Sequence, residues 1–201
     1  MANIAYTEYF IKGSKEDLEK LKGIFDTFDE KFINRHHLYD LANQLDIDYH
    51  DINIRGDIEE WCYNENDGNI FLRTSSAWDG CSDFFVRINE KFFNDELSIS
   101  YRVEETGMAL FYVHDEGLFF PERFYVSAYY EDEIDSYDDD PIEGEQLSMD
   151  EIFDAWCGII GKTPKEFGEN LTDRKMMNII DEYEDYKSEN TFFNVYEFQE
   201  V

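Results

Sequence analysis

Positive charge is what this sequence is short of. Its 201 residues hold 17 Lys and Arg against 48 Asp and Glu, a net charge of -31. Such a chain repels phosphates instead of neutralising them, which excludes direct DNA or RNA binding and adsorption to anionic membranes. Cysteine is scarce too. Cys62, Cys81 and Cys157 are odd in number, far apart and without a C-x-x-C, so neither a disulfide scaffold nor a cysteine-rich zinc site is indicated. No run approaches the ~18 apolar residues needed to span a bilayer. The opening "MANIAYTEYF" lacks the basic start and long apolar stretch of a signal peptide, so the expected location is the cytoplasm. Catalytic signatures are missing as well: there is no G-x-S-x-G, P-loop, G-x-G-x-x-G or H-E-x-x-H. With so many carboxylates, a pair at acid–base separation arises by chance and carries no information. No enzyme activity and no cofactor are expected.

Aromatic side chains, by contrast, are plentiful at 17% of residues. Highly charged disordered chains are poor in them, so this composition indicates a packed core that tolerates self-repulsion. The pattern along the chain agrees. "NIAYTEYFIKG" reads as a strand, and Ser14 caps a helix with Leu18, Leu21, Phe25 and Phe28 on one face. A shorter helix carries Leu38, Leu41 and Leu45. Two extended runs flank Asp67-Gly68, a hairpin signal. "SDFFVRINEKFF" is helical with Phe84, Phe85, Ile88 and Phe92 inward. "LSISYRVEE" alternates, Leu97, Ile99, Tyr101 and Val103 against Ser98, Ser100, Arg102 and Glu104. "MALFYVHD" is its hairpin partner beyond Gly107, and "RFYVSAYY" is a further strand.

Downstream, Ser148 and Glu151 form a capping box for a helix burying Ile152, Phe153, Trp156, Ile159 and Ile160. Thr163-Pro164 starts another turn. "TDRKMMNIIDEYEDYKS" gives a last helix with Met176, Ile179, Ile180 and Tyr183 inward, and "TFFNVYEF" a possible closing strand. Strands interleaved with helices on one face predict an α+β fold, an antiparallel sheet of ferredoxin-like type. The expected layout is a domain over 1–130 with a helical insert near 34–46, an acidic connection over 131–147, and a mainly helical region over 148–201.

"IFLRTSSAW" (Ile70–Trp78), Phe84, Ile88 and Phe92, and "LSISYRVEETGMALF" with Glu105 and Gly107 carry a resemblance. Over roughly residues 1 to 130 the chain resembles the ferredoxin-like domain of the YubB-type family of phages, plasmids and other mobile elements. The resemblance implies a fold and a mobile-element setting. It implies no chemistry and transfers no active-site residue. Where such proteins usually continue with prolines after the Trp, this chain has Asp79-Gly80-Cys81.

The segment Tyr129–Glu145 holds nine acidic residues and no basic one. As a calcium loop it is a poor match, because Pro141 takes the third position and Asp150 the twelfth, where Glu is expected. Beside that reading stand a solvated loop and a polyanion surface. Carboxylates at i, i+3 and i, i+4 on a helix stand about 5–6 Å apart, a pitch comparable to phosphates along a DNA strand. The candidate partner-binding residues are therefore Glu131, Asp132, Glu133, Asp135, Asp138, Asp139 and Asp140, with Asp181, Glu182, Glu184 and Asp185 on the last helix. Trp78, on a Ser/Gly-rich loop, is a candidate anchor. His36 and Asp40 have the i, i+4 spacing of two metal ligands, but no third is fixed, and no metal site is expected.

The expectation is a non-enzymatic protein of phage or mobile-element origin that mimics nucleic-acid charge. Its partner would be a basic protein with a nucleic-acid-binding cleft, such as a nuclease or defence effector. The alternative is a structural or interaction module whose charge only keeps it dissolved.

Overall fold

The computed structural model describes residues 3–32, 36–129, 146–183 and 192–201. In chain order the elements are β1 (Ile4–Lys12), α1 (Lys15–Lys31), α2 (Leu38–Gln44), β2 (Gly56–Asn64), β3 (Asn69–Ala77), α3 (Ser82–Phe93), β4 (Ser98–Glu105) and β5 (Leu110–His114). They continue as β6 (Phe124–Tyr129), β7 (Gln146–Leu147), α4 (Met149–Ile159), α5 (Asp173–Glu182), β8 (Phe192–Glu197) and β9 (Gln199–Glu200). The architecture is mixed α+β, and it divides into two units, Met1–Phe120 with Gln199–Val201, and Pro121–Phe198.

In the first unit six strands run in the order β2-β3-β1-β4-β5-β9. Neighbours are antiparallel except for β5 and β9. The helix α1 forms where the sequence predicts it: the Ser14 side chain accepts from the Asp17 N–H, and Leu18, Leu21, Phe25 and Phe28 are buried. With Leu38 and Leu41 of α2 and Phe84, Phe85 and Ile88 of α3, they pack on Tyr9, Ile11, Ile70, Leu72 and Ile99. All three helices thus cover one sheet face. Phe92 is a correction, since Phe93 is the buried ring and Phe92 only lies against the core. The reason is Asn89, whose amide donates to the Leu97 carbonyl at 2.8 Å and accepts from the Leu97 N–H at 3.0 Å. That bond holds the Phe85–Asn89–Phe93 row inward.

The other sheet face is closed differently. Asp115 accepts from the backbone N–H groups of Gly117, Phe119 and Phe120 at 3.0–3.2 Å. This folds the loop so that Phe119 stacks on Phe10 at 4.5 Å and Phe120 meets it edge-on at 5.5 Å. Beside these rings Glu8 bridges two arginines, Arg73 at 2.8 Å and Arg102 at 2.9 Å. The Arg102 guanidinium lies 4.8 Å from the Phe120 ring centre and is almost wholly buried.

The second unit carries its own sheet, ordered β7-β6-β8, and its own core. The described part of 148–201 holds α4 and α5 and then the closing strand β8, while β6, expected in the first domain, pairs here with β7 and β8, and the first unit ends at Phe120. The Ser148–Glu151 capping box forms. Trp156 is fully buried among Phe153, Phe167 and Tyr183, with ring centres 5.3–5.4 Å away. The helix α5 ends at Glu182, short of the expected Ser188. Residues 184–191, like 130–145, lie outside the described residues.

Burial decides the energetics. Each fully buried large apolar side chain contributes about 1.5–3 kcal/mol, against about 0–1 kcal/mol for an exposed ion pair. The three thiols report the same packing. Cys62 is exposed, whereas burial pushes Cys81 and Cys157 each up to about 11. Alkylation of the native protein at pH 8, read by intact mass, is expected to label Cys62 alone, with the other two reacting only in denaturant. Rapid native labelling of Cys81 would show that the loop above it opens.

Candidate functional site

Among the described residues, the Trp78 loop, the helices of the second unit and a groove at the β2–β3 end of the first unit gather polar or exposed groups.

The Trp78 loop joins β3 to α3. Its ends are tied by Asn53, whose amide donates to the Ala77 and Asp79 carbonyls at 3.2 and 3.1 Å, and by the Ser76 hydroxyl, 2.6 Å from the Asp79 carbonyl. The Asp79 carboxylate accepts from the Gly80 N–H at 2.7 Å and from the Tyr112 hydroxyl at 2.5 Å. Burial first, then the Asp79 hydrogen bond, drives the Tyr112 phenol far above its ordinary value. Gly80 fits closely here, because a Cβ would stand 2.8 Å from Val103 Cγ2 and force a shift. Within this net Trp78 sits at φ 76°, a conformation that bulky residues rarely adopt, and its side chain is 45% exposed. Such a backbone costs on the order of 1–3 kcal/mol and persists only because its surroundings over-determine it. Exposed Ile4 and Tyr6 lie at the same end of the sheet, for Ile4 pairs with Ala77 and the Trp78 N–H donates to the Asn3 carbonyl.

On the second unit's helices Asp150, Glu151, Asp154, Asp173, Asp181 and Glu182 are all exposed. Some of these positions need only a local reason. Asp150, Glu151 and Asp173 occupy first turns, where carboxylates suit the helix dipole, and the Ser148 hydroxyl and N–H hold Glu151 below the usual carboxylate range. Others work against the helix. Asp154 stands four residues after Asp150, a like-charge pair, and Asp181 and Glu182 crowd the C-terminal end of α5. Neither helix has a basic residue in its last turn to offset them. The stretch 121–198 holds 22 Asp and Glu against 6 Lys and Arg.

Of the sequence-predicted residues, Asp181, Glu182 and Trp78 are thus exposed. Asp181 and Glu182 share one helix end in the second unit, and Trp78 belongs to the first. Glu131, Asp132, Glu133, Asp135, Asp138, Asp139, Asp140, Glu184 and Asp185 lie outside the described residues. The Asp150/Asp154 pair was missed, although its spacing was readable once the capping box fixed the helix start.

The histidine pairing is corrected. The helix α2 begins at Leu38, so His36 is outside it and shares no helical face with Asp40. His36 Nδ1 instead lies 3.9 Å from Asp29. His37 Nδ1 bonds Asp57, and His114 Nδ1 meets the Val201 carbonyl at 2.8 Å. Among the described residues no group of three or more His, Cys, Asp or Glu is arranged to hold a metal ion, and no helix is long and apolar enough to cross a membrane.

The groove is lined by Ile4, His37, Tyr39, Arg55, Asp57 and Ser75, among others, and has a volume of about 410 Å³. Sequence reasoning missed it, because His37 and Asp57 come together only through pairing at the sheet edge.

Compared with known proteins, the chain matches no family model and has no significant match to a curated protein or a solved structure.

The strain at Trp78 gives a test. If the indole is displayed instead of packed, Trp78→Gly relieves the positive φ, and thermal stability is expected to stay level or rise within about 1 kcal/mol. A loss above about 2 kcal/mol would mean that the indole supports the fold.

Proposed function

We propose that the protein is a non-enzymatic acidic binding protein that occupies the nucleic-acid cleft of a basic protein, such as a nuclease or defence effector. The observation that carries this reading is the placement of carboxylates where they weaken their own helices. Solubility needs charge but not at those positions, since Asp154 and Glu182 would serve as well on a loop. Competition is the mechanism: carboxylates stand where phosphates would, and the opposite charge of the partner speeds encounter. Trp78 supplies an apolar anchor of the type that dominates interface energetics.

A mobile-element origin and a ferredoxin-like first domain belong to the same proposal. The order β2-β3-β1-β4, with α1 and α3 in the two crossovers on one face, supports the fold name. An interaction module without mimicry is the second reading, favoured by exposed Trp78, Ile4 and Tyr6.

Salt separates the two. In a pull-down from bacterial lysate, the captured partners are expected to have basic clefts, to be lost at high salt and to be displaced by double-stranded DNA. The combined change Asp154→Asn and Glu182→Gln is expected to weaken capture tenfold or more while leaving or raising thermal stability. Salt-insensitive capture, unchanged by the double substitution, would overturn mimicry in favour of the module.

A further inference from the structure

The cations of the first unit are almost all spent within it. Lys15, Lys22, Arg73, Arg87, Lys91 and Arg102 make ion pairs. Lys20 reaches the Phe92 carbonyl, and Lys12 and Lys31 lie over the rings of Phe119 and Phe32. Arg55 is the exception. Among the described Lys and Arg of this unit it alone has a head group without an ion pair, hydrogen bond or ring partner, in a chain with 48 carboxylates.

Its setting is constructed. The Arg55 carbonyl accepts from the Ala77 N–H at 2.8 Å and its N–H donates to the Asn53 side chain at 3.2 Å, so the backbone is fixed while the guanidinium is uncommitted. Gly56 follows, where a Cβ would stand 2.4 Å from the Ser75 carbonyl, and its absence lets β2 lie flush on β3 as the groove floor. A register shift between Ile58 and Glu60 bulges the strand just beyond, a device that re-aims side chains beside sites. The two carboxylates next along β2 are already engaged, Asp57 by His37 Nδ1 and Glu59 by the Ser75 hydroxyl. Also lining the groove, the Tyr39 ring stacks on His37, with centres 5.1 Å apart and planes 16° apart, and remains 41% exposed.

We propose that this groove binds a small ligand of the nucleoside monophosphate class, with the phosphate on Arg55 and the base against Tyr39. A guanidinium matches phosphate oxygens two at a time. An aromatic face accepts any base. His37, with Nδ1 held by Asp57, keeps Nε2 for the ligand. The volume of about 410 Å³ lies in the range of small-ligand sites. Overall charge does not forbid it: a mononucleotide feels only the charges within about 8–10 Å in physiological salt, whereas a long polyanion would meet the whole acidic surface. This inference stands apart from the mimicry reading and survives its failure.

The test is equilibrium binding of AMP, adenosine and inorganic phosphate to the full chain, by calorimetry or NMR titration. AMP is expected to bind at least tenfold more tightly than adenosine or phosphate, because one ligand then engages both Arg55 and Tyr39. Arg55→Ala is expected to weaken AMP tenfold or more and bring it level with adenosine, and Tyr39→Ala to bring it towards phosphate. Arg55→Ala should keep the parent melting temperature, as the Arg55 head group supports no other side chain. Absence of AMP binding at millimolar concentration, or equal AMP affinity in the parent and Arg55→Ala, would overturn the proposal.

Discussion

Repulsion among 48 carboxylates, opposed by 17 cations, is the constraint that the rest of this structure accommodates. A body of this charge is pushed apart at long range, and only short-range attraction holds it. The aromatic content answers that demand. Tyr9, Phe25, Phe28, Phe84, Phe85, Phe153 and Trp156 are among the largest fully buried side chains, and they fill two separate cores. The few cations are used where they also pack. Arg102 lies on the Phe120 ring, and Lys162 lies over Phe167 and Tyr183. Cations that serve as core lids leave the outward charge to Asp and Glu.

That division of labour separates acid with a structural task from acid without one. Glu8 joins Arg73 to Arg102 on the sheet, Asp115 folds the loop that brings Phe119 and Phe120 to Phe10, and Glu105 accepts from the N–H groups of Gly107 and Met108 to close the β4–β5 turn. Removing any of these would strand buried or turn-forming groups. Asp154 and Glu182 have the opposite character, since each lies where its own helix would be steadier with a neutral side chain.

Much of the fold was legible because its signals are local. The Ser14 cap with its 3–4-spaced apolar row, the Asp67-Gly68 hairpin, the alternation of β4 and the Ser148–Glu151 box each lie within a few residues of sequence. What was not legible depends on distant pairing. The two-residue strands β7 and β9 are too short to show a period, so the second sheet and the return of Gln199–Val201 to β5 could not be read. The burial of Asn89 depends on its bond to Leu97, eight residues on, which no helical period shows. Of the candidate residues, Trp78 was singled out by its loop chemistry, and its side chain is exposed. The Arg55 groove was not, because a guanidinium is conspicuous only once every neighbouring cation is seen to be engaged.

The central claim is that most of the negative charge is uncompensated on the folded body and costs it stability. The most direct measurement is the thermal midpoint as NaCl rises from about 0.01 M to about 0.1 M, which shortens the screening length from about 30 Å to about 10 Å. Contact ion pairs change little over that range, whereas long-range repulsion is largely removed. The account predicts a midpoint that climbs steadily by several degrees. A midpoint that stays level or falls would show that the carboxylates are balanced within the fold, and the case for an outward-directed acidic surface would be lost.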